Sequence, residues 1–176
     1  MADNTSPDTI ENRVAKSPLI TLALDDWYPS APRRVIDLSP WLYEGLIVRE
    51  KSFREAVKAH DWTQYQGQAV ALQCSTDAII PQWAYLLVAT ALQPYAHTLT
   101  YGSEEELETL LWEESLRQLP VADYQDKPVI VKGCSERPVP ASAYVRVAAR
   151  LRPVVKSLLF GEACSTVPVY KKRKSK

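Results

Sequence analysis

Three cysteines are the residues of this sequence best suited to chemistry, and a serine follows each of them. Thiolates bind zinc, iron and iron–sulfur clusters, and nearby hydroxyl or N–H groups stabilise the bound sulfur. The sequence therefore predicts a metal site formed by Cys74, Cys134 and Cys164, with Asp77 as the first candidate for a fourth ligand. The alternative fourth ligands are Glu104, Glu105, Glu136, Glu162 and a water molecule. The expected cofactor is zinc, iron or an iron–sulfur cluster.

The same thiols allow two other interpretations. One is a thiol-dependent sulfurtransferase or reductase with Cys134 as the nucleophile, because a helix that begins just after a cysteine lowers the pKa of the thiol. The other is that the cysteines are buried and inert, as free cysteines often are. The chain has no C-x-x-C pair, and its two histidines are not spaced as metal ligands. The pattern leaves these interpretations open and does not decide whether the protein is an enzyme.

The elements that must position the cysteines come from an internal duplication. Five residues or short motifs of the first half recur in the same order in the second half. The pairs are Tyr65-Gln66 and Tyr124-Gln125, Cys74-Ser75 and Cys134-Ser135, Pro81 and Pro140, Ala84-Tyr85 and Ala143-Tyr144, and Gly102 and Gly161. Chance seldom keeps so many pairs in order, so we predict two repeats, at about 47–102 and 106–161.

The sequence pattern of each repeat predicts four elements in the order helix, strand, helix, strand. In the first repeat these elements are SFREAVKAH, the apolar run AVALQ, a helix over 81–93 that begins at a proline, and HTLTY. Strand–helix–strand units form right-handed crossovers between parallel strands. We therefore predict an α/β fold in which internally duplicated βαβ units form a mainly parallel sheet covered by helices. The alternative is an α+β sandwich with one antiparallel terminal strand.

One parallel sheet would bring the thiols together, because ligand sites lie at the carboxyl ends of parallel strands. Cys74 and Cys134 follow the first strand of each repeat, and Cys164 follows the last strand of the second repeat. All three would then lie at the same edge of the sheet. The leading functional prediction is therefore a cytoplasmic thiolate metal-binding accessory protein that acts in iron–sulfur cluster or metal handling.

The helix over 81–93 carries a different prediction, because it has almost no polar face. Such a helix is buried on most sides or lies in an oligomer interface, so a homodimer is one expected arrangement. The last residues, 171–176, form a basic tail. The apolar helix and the basic tail together favour a further alternative, a non-catalytic interaction module.

Composition sets limits on all these functions. The chain is 46% hydrophobic and 24% charged, with 21 Lys and Arg against 21 Asp and Glu. The balanced charge provides no strong field for nucleic acid, and no apolar run approaches the ~20 residues of a membrane span. The polar start and the odd number of cysteines favour a reducing cytoplasm. We expect a flexible segment over 1–17 and a single pseudo-symmetric domain over 18–170, with neither membrane nor nucleic acid as a partner.

Four stretches together carry a family resemblance: HDWTQYQ, CSTDAIIPQWAY, VIVKGCSERPVPASAYV and RPVVKSLLFGEACSTVPVYK. They resemble an uncharacterised bacterial family, a domain of unknown function of about this length, from about residue 10 onward. The resemblance implies an association with iron–sulfur cluster assembly genes, and so iron–sulfur assembly proteins as partners. It implies no catalytic residues.

Overall fold

The computed structural model describes residues 19–133, 135–162 and 165–173. Within these residues the strands are β1 (Ile20–Leu22), β2 (Arg33–Asp37), β3 (Ala69–Gln73), β4 (Thr98–Tyr101), β5 (Pro128–Lys132), β6 (Ser157–Glu162) and β7 (Ser165–Lys171). The helices are α1 (Glu50–Ala59), α2 (Gln82–Leu92), α3 (Glu104–Arg117) and α4 (Ala141–Leu151). No helix in these ranges is long and apolar enough to cross a membrane.

The predicted α/β class and the order of elements in the two repeats are confirmed. The first repeat contains α1, β3, α2 and β4, and the second contains α3, β5, α4 and β6. Each predicted element lies within a few residues of its observed bounds. The repeats agree in packing as well, because Phe53 of α1 and its counterpart Trp112 of α3 are both fully buried.

The strands form two sheets, whereas the sequence predicted one. One sheet has the order β2-β3-β4 and is entirely parallel. The other has the order β1-β5-β6-β7, in which β1, β5 and β6 are parallel and β7 runs antiparallel to β6. The two strands of each repeat pair with each other, as a crossover unit requires. Each pair then adds one strand from the segment before the repeats, and this choice of partner has no signature in the local sequence.

The chain divides into two compact units that interleave along the sequence. Unit 1 comprises residues 1–26, 119–139 and 144–176, and it contains the sheet that ends in β7. Unit 2 comprises residues 27–118 and 140–143, and it contains the β2-β3-β4 sheet with α1, α2 and α3. The expected flexible segment 1–17 lies outside the described residues, and the single domain over 18–170 stays a prediction.

Helices pack on both faces of the sheet in unit 2. Along β3, Val70 and Leu72 belong to the hydrophobic cluster formed with α1 and α2, whereas Ala69 and Ala71 contact Leu107 and Leu111 of α3. This alternation follows from the two-residue repeat of a strand. The small alanines make room for α3 close to the sheet, so β3 is buried on both faces.

The start of α3 is fixed by a cap at Ser103. The Ser103 hydroxyl accepts a hydrogen bond from the N–H of Glu106, and the Glu106 carboxylate accepts one from the N–H of Ser103. This reciprocal pair is a capping box, which satisfies two N–H groups that the helix itself leaves without partners. Three consecutive glutamates in the first turn add favourable interactions with the helix dipole.

Candidate functional site

Unit 2 holds a polar cluster at the carboxyl end of its sheet, the edge where ligand sites of parallel sheets lie. Asp37 is the last residue of β2, and its carboxylate accepts four hydrogen bonds. Ser39 donates through its N–H at 3.0 Å and its hydroxyl at 2.8 Å. Ser75 donates through its N–H at 3.0 Å and its hydroxyl at 2.5 Å. The carboxylate thereby ties the turn after β3 to the turn after β2.

These hydrogen bonds keep Asp37 ionised. Partial burial raises the pKa of Asp37, but the hydrogen bonds from Ser75 and Ser39 outweigh burial and lower the pKa to about 2. Asp37 was not among the site residues that the sequence predicted. Its place at the carboxyl end of a strand is the same kind of position that led to Cys74.

Cys74 lies where the sequence predicted, directly after β3 at this edge. It is a half-buried free thiol whose Sγ lies 3.3 Å from Thr76 Oγ1 and 3.5 Å from the Thr76 carbonyl oxygen. Neither group is a base or a cation of the kind that activates a thiol for nucleophilic attack. Asp77, the candidate fourth ligand, is exposed.

The other two predicted ligands, Cys134 and Cys164, lie outside the described residues. Within residues 19–133, 135–162 and 165–173, no three His, Cys, Asp or Glu side chains are grouped closely enough to hold a metal ion. A common edge for the cysteines requires one sheet, but the strands before Cys74 and Cys134 belong to different sheets. The metal site, its cofactor and the nucleophilic role of Cys134 stay predictions.

A second feature of unit 2 is an apolar surface beside α2. A groove of about 340 Å³ lies between α2 and β4. Its lining includes Leu72, Tyr85, Ala89, Leu99, Thr100 and Tyr101. Three large apolar side chains at or near the groove are mostly exposed: Ile79 at 89%, Leu86 at 68% and Tyr101 at 67%. We call the groove and these three residues the α2–β4 surface.

Two tyrosines form part of the wall of this groove. The rings of Tyr85 and Tyr101 meet edge to face with centroids 5.2 Å apart. Burial raises the pKa of Tyr85, and Tyr101 adds to the shift through its charge and a side-chain hydrogen bond. Tyr85 is half-buried and contributes to a surface groove.

Unit 1 contains the equivalent groove, between α4 and β6. Its volume is about 320 Å³, and Tyr144 and Phe160 repeat the edge-to-face pair with centroids 5.7 Å apart. Its lining includes the residues that correspond by the repeat, namely Val131, Tyr144, Ala148, Leu158, Leu159 and Phe160. Two further residues line it, Val147 of α4 and Val169, which belongs to β7.

A wider cleft of about 920 Å³ opens at the other end of the unit 2 sheet, where β4 begins. Two hydroxyl groups in its wall already have partners. The Thr98 hydroxyl donates to Glu114 at 3.2 Å, and the Ser115 hydroxyl donates to the Trp27 carbonyl at 2.6 Å. These contacts hold α3 against the sheet and the loop before β2 against α3, so we assign these two hydroxyls a structural role.

Comparison with known proteins identifies a family without a described activity. No curated protein and no solved structure matches the chain. The family resemblance seen in the sequence is confirmed, whereas the bacterial origin and the association with iron–sulfur assembly genes stay predictions. The model of the family described as "Protein of unknown function (DUF2480)" matches residues 8–172, and the chain belongs to that family.

Proposed function

We propose that the protein is an interaction module whose docking surface is the α2–β4 surface. The observation that carries this proposal is the exposure of Ile79, Leu86 and Tyr101 beside an apolar groove. Scattered single apolar residues are normal on protein surfaces, but grouped ones mark interaction sites. A tyrosine at the centre of such a group provides a large contact area and a hydroxyl that can bond to the partner.

The chemistry of the surface indicates the class of partner. None of the six groove residues named above carries a charge, and one wall of the groove is formed by the short strand β4, which ends its sheet. An extended protein segment with apolar side chains fits both properties, because its backbone can pair with a strand while a side chain fills the groove. A small polar metabolite would find few fixed hydrogen-bonding groups there.

Photocrosslinking in cells tests the proposal at single positions. A benzophenone amino acid replaces Leu86 or Tyr101 in the docking surface, and Glu55 on the exposed polar face of α1 serves as the matched control. We expect one discrete protein adduct at positions 86 and 101 and none at 55. The partner identified by mass spectrometry should bind the purified chain at least about tenfold more tightly than it binds Leu86→Asp.

Two results would contradict the proposal. One is the absence of an adduct at both surface positions. The other is an adduct of equal yield at position 55, which would show that the crosslinks report non-specific collisions. The thiolate metal site and the thiol enzyme stay alternative predictions, and they require a separate measurement because Cys134 and Cys164 lie outside the described residues.

A further inference from the structure

We propose that the partner at the α2–β4 surface is a second copy of this chain, which pairs antiparallel with β4 through its own β4 about a two-fold axis. This inference rests on the proposed function and specifies its partner. Four features support a second copy as the partner: the equivalent surface in unit 1, the free side of β4, the residues of β4, and the symmetry of the pairing.

In unit 1, an antiparallel strand already lies at the surface equivalent to the α2–β4 surface. β6, the counterpart of β4, has β5 on one side and the antiparallel strand β7 on the other. β7 contributes Val169 to the equivalent groove. Phe160, the counterpart of Tyr101, is 37% exposed, whereas Tyr101 is 67% exposed. An antiparallel strand at β4 would therefore complete in unit 2 the arrangement that unit 1 already has.

The outer side of β4 is available for such pairing. Within the described strands, β4 is hydrogen-bonded to β3 and ends its sheet. The Gly102 N–H, directly after β4, donates to the Leu72 carbonyl at 2.9 Å, so it points toward β3. Because N–H groups alternate in direction along a strand, those of Tyr101 and Leu99 point to the outer side. After Gly102 the chain enters α3, so the following residues do not supply a strand like β7.

β4 also lacks the residues that keep edge strands from pairing. Natural edge strands carry charges or proline, or they are very short. β7 has Pro168 and Lys171, and β2 has two arginines, whereas β1 is only three residues long. β4, with the sequence TLTY, has no charge and no proline. Among the sheet edges that the structure describes, β4 is therefore the one best suited to accept another strand.

The side chains of β4 define a register for two copies. Leu99 packs with the hydrophobic cluster below α2, and Tyr101 contacts Tyr85 of α2, whereas Thr98 contacts Glu114 of α3. Opposite residues in an antiparallel pair point to the same face. Thr100 would therefore lie opposite Thr100 of the second copy, and Leu99 would lie opposite Tyr101. Such a two-fold dimer is closed, because the same contact pairs the β4 edges of both copies and leaves neither edge open to a third copy.

The oligomeric state of the full chain under reducing conditions tests the proposal. We expect sedimentation velocity to show a dimer that dissociates on dilution. Tyr101→Lys and Leu86→Lys should each weaken the dimer at least about tenfold, because they introduce charge into the contact. The matched control is Val145→Lys, since Val145 is the counterpart of Leu86 in unit 1 and is 70% exposed. It should leave the dimer unchanged.

A second variant tests the register without depending on a loss of binding. Thr100→Cys places a thiol beside the two-fold axis, so a short bismaleimide crosslinker should give a covalent dimer in far higher yield than in the wild-type chain treated in parallel. Absence of that increase would overturn the proposed register. Circular dichroism and thermal unfolding confirm that each variant is folded.

The outcomes separate this inference from the proposed function. A wild-type chain that stays monomeric at about 100 µM overturns the second copy as the partner. A discrete adduct of a different protein at Leu86 and Tyr101 would then leave the docking surface in place. A dimer that Val145→Lys weakens and Tyr101→Lys does not would overturn the inference as well, because its contact would lie elsewhere.

Discussion

Asp37 determines the shape of the sheet edge at which Cys74 lies. Its carboxylate accepts N–H and hydroxyl hydrogen bonds from Ser39 and Ser75, on the turns after two neighbouring strands. Hydrogen bonds to a charged acceptor are stronger than those between neutral groups. Any chemistry of Cys74 therefore takes place on a turn that Asp37 holds in position.

Asp37→Asn should destabilise the protein in a pH-dependent way. The pKa of Asp37 in the folded state, about 2, is below its ordinary value of 3.8. The stabilisation is therefore fully present above about pH 4 and disappears as the pH falls through 2. Because Asp37 is partly exposed, we expect a loss of only about 1–2 kcal/mol in the free energy of unfolding at pH 7. Urea unfolding at pH 7 and near pH 2.5 measures both values.

The matched control is Asp77→Asn, because Asp77 is exposed and follows the same turn. This variant should change stability by less than about 0.5 kcal/mol. The interpretation of Asp37 would be wrong if the two variants were equally stable at pH 7. It would also be wrong if the loss in Asp37→Asn did not shrink in acid.

The predicted thiolate metal site has a direct chemical test. Protein purified without air should contain near-stoichiometric zinc or iron and three blocked thiols if Cys74, Cys134 and Cys164 are ligands. Cys74→Ser and Cys164→Ser should each lose the metal, whereas Ser75→Ala should retain it. Metal content, acid-labile sulfide and a free-thiol count are the measurements. Three free thiols without metal, even after incubation with Zn²⁺ or Fe²⁺, would contradict the site.

The helices and strands of the repeats could be predicted because their signals are local. Apolar runs such as that of β3, the prolines before α2 and α4, and the serine before α3 each act within a few residues. β7 was not predicted, because Pro168 interrupts its pattern and most of its residues are exposed. As an edge strand it tolerates proline, and only its pairing with β6 makes it a strand.

Partners that are distant in sequence could not be predicted in this way. The position of Cys74 followed from its own strand. The four hydrogen bonds on Asp37, in contrast, depend on the register that places Asp37 opposite Gln73. Likewise, the exposed side of α2 depends on which strand ends the sheet. The candidate docking surface is therefore a property of the sheet order, which local sequence patterns do not encode.

The capping box of α3 should contribute measurably to stability. Ser103→Ala removes the acceptor for the Glu106 N–H, so the free energy of unfolding should fall by about 1 kcal/mol. The matched control is Glu105→Gln, an exposed residue of the same helical turn. It should cost only a few tenths of a kcal/mol, because it changes only the interaction with the helix dipole. Equal losses in the two variants, measured by urea unfolding, would contradict this assignment.

The glycine before this cap is required by geometry. Gly102 has a φ of 131°, and a Cβ at this position would overlap the Glu106 carboxylate. Gly161, at the equivalent position of the second repeat, has a φ of 120°, and a Cβ there would meet the Ser165 carbonyl. The equivalent glycines thus precede different elements, α3 in one repeat and β7 in the other. The two repeats differ in structure mainly after this glycine.

Unit 2 contains the hydrophobic clusters, sheet and helices that an independent folding unit needs. All members of its two hydrophobic clusters, from Ala31 to Leu111, lie within the continuous segment 27–118. This segment contains the complete β2-β3-β4 sheet and the helices on both of its faces. Unit 1 is discontinuous in sequence, since its strands come from both sides of this segment. Folding of unit 1 therefore requires contacts between distant parts of the chain, whereas the sheet, helices and hydrophobic clusters of unit 2 all lie within residues 27–118.

We expect a fragment of residues 27–118 to fold by itself. Domains of this size can bury enough apolar surface to be stable without disulfides or metals. The fragment should show native-like circular dichroism and one cooperative thermal transition. Phe53→Ala should abolish or strongly lower that transition, because truncating a fully buried phenylalanine costs about 3–5 kcal/mol out of a typical 5–15. The exposed neighbour Glu55 provides the control, and Glu55→Ala should unfold like the parent fragment. A fragment without a cooperative transition would show that unit 2 depends on unit 1 for its stability.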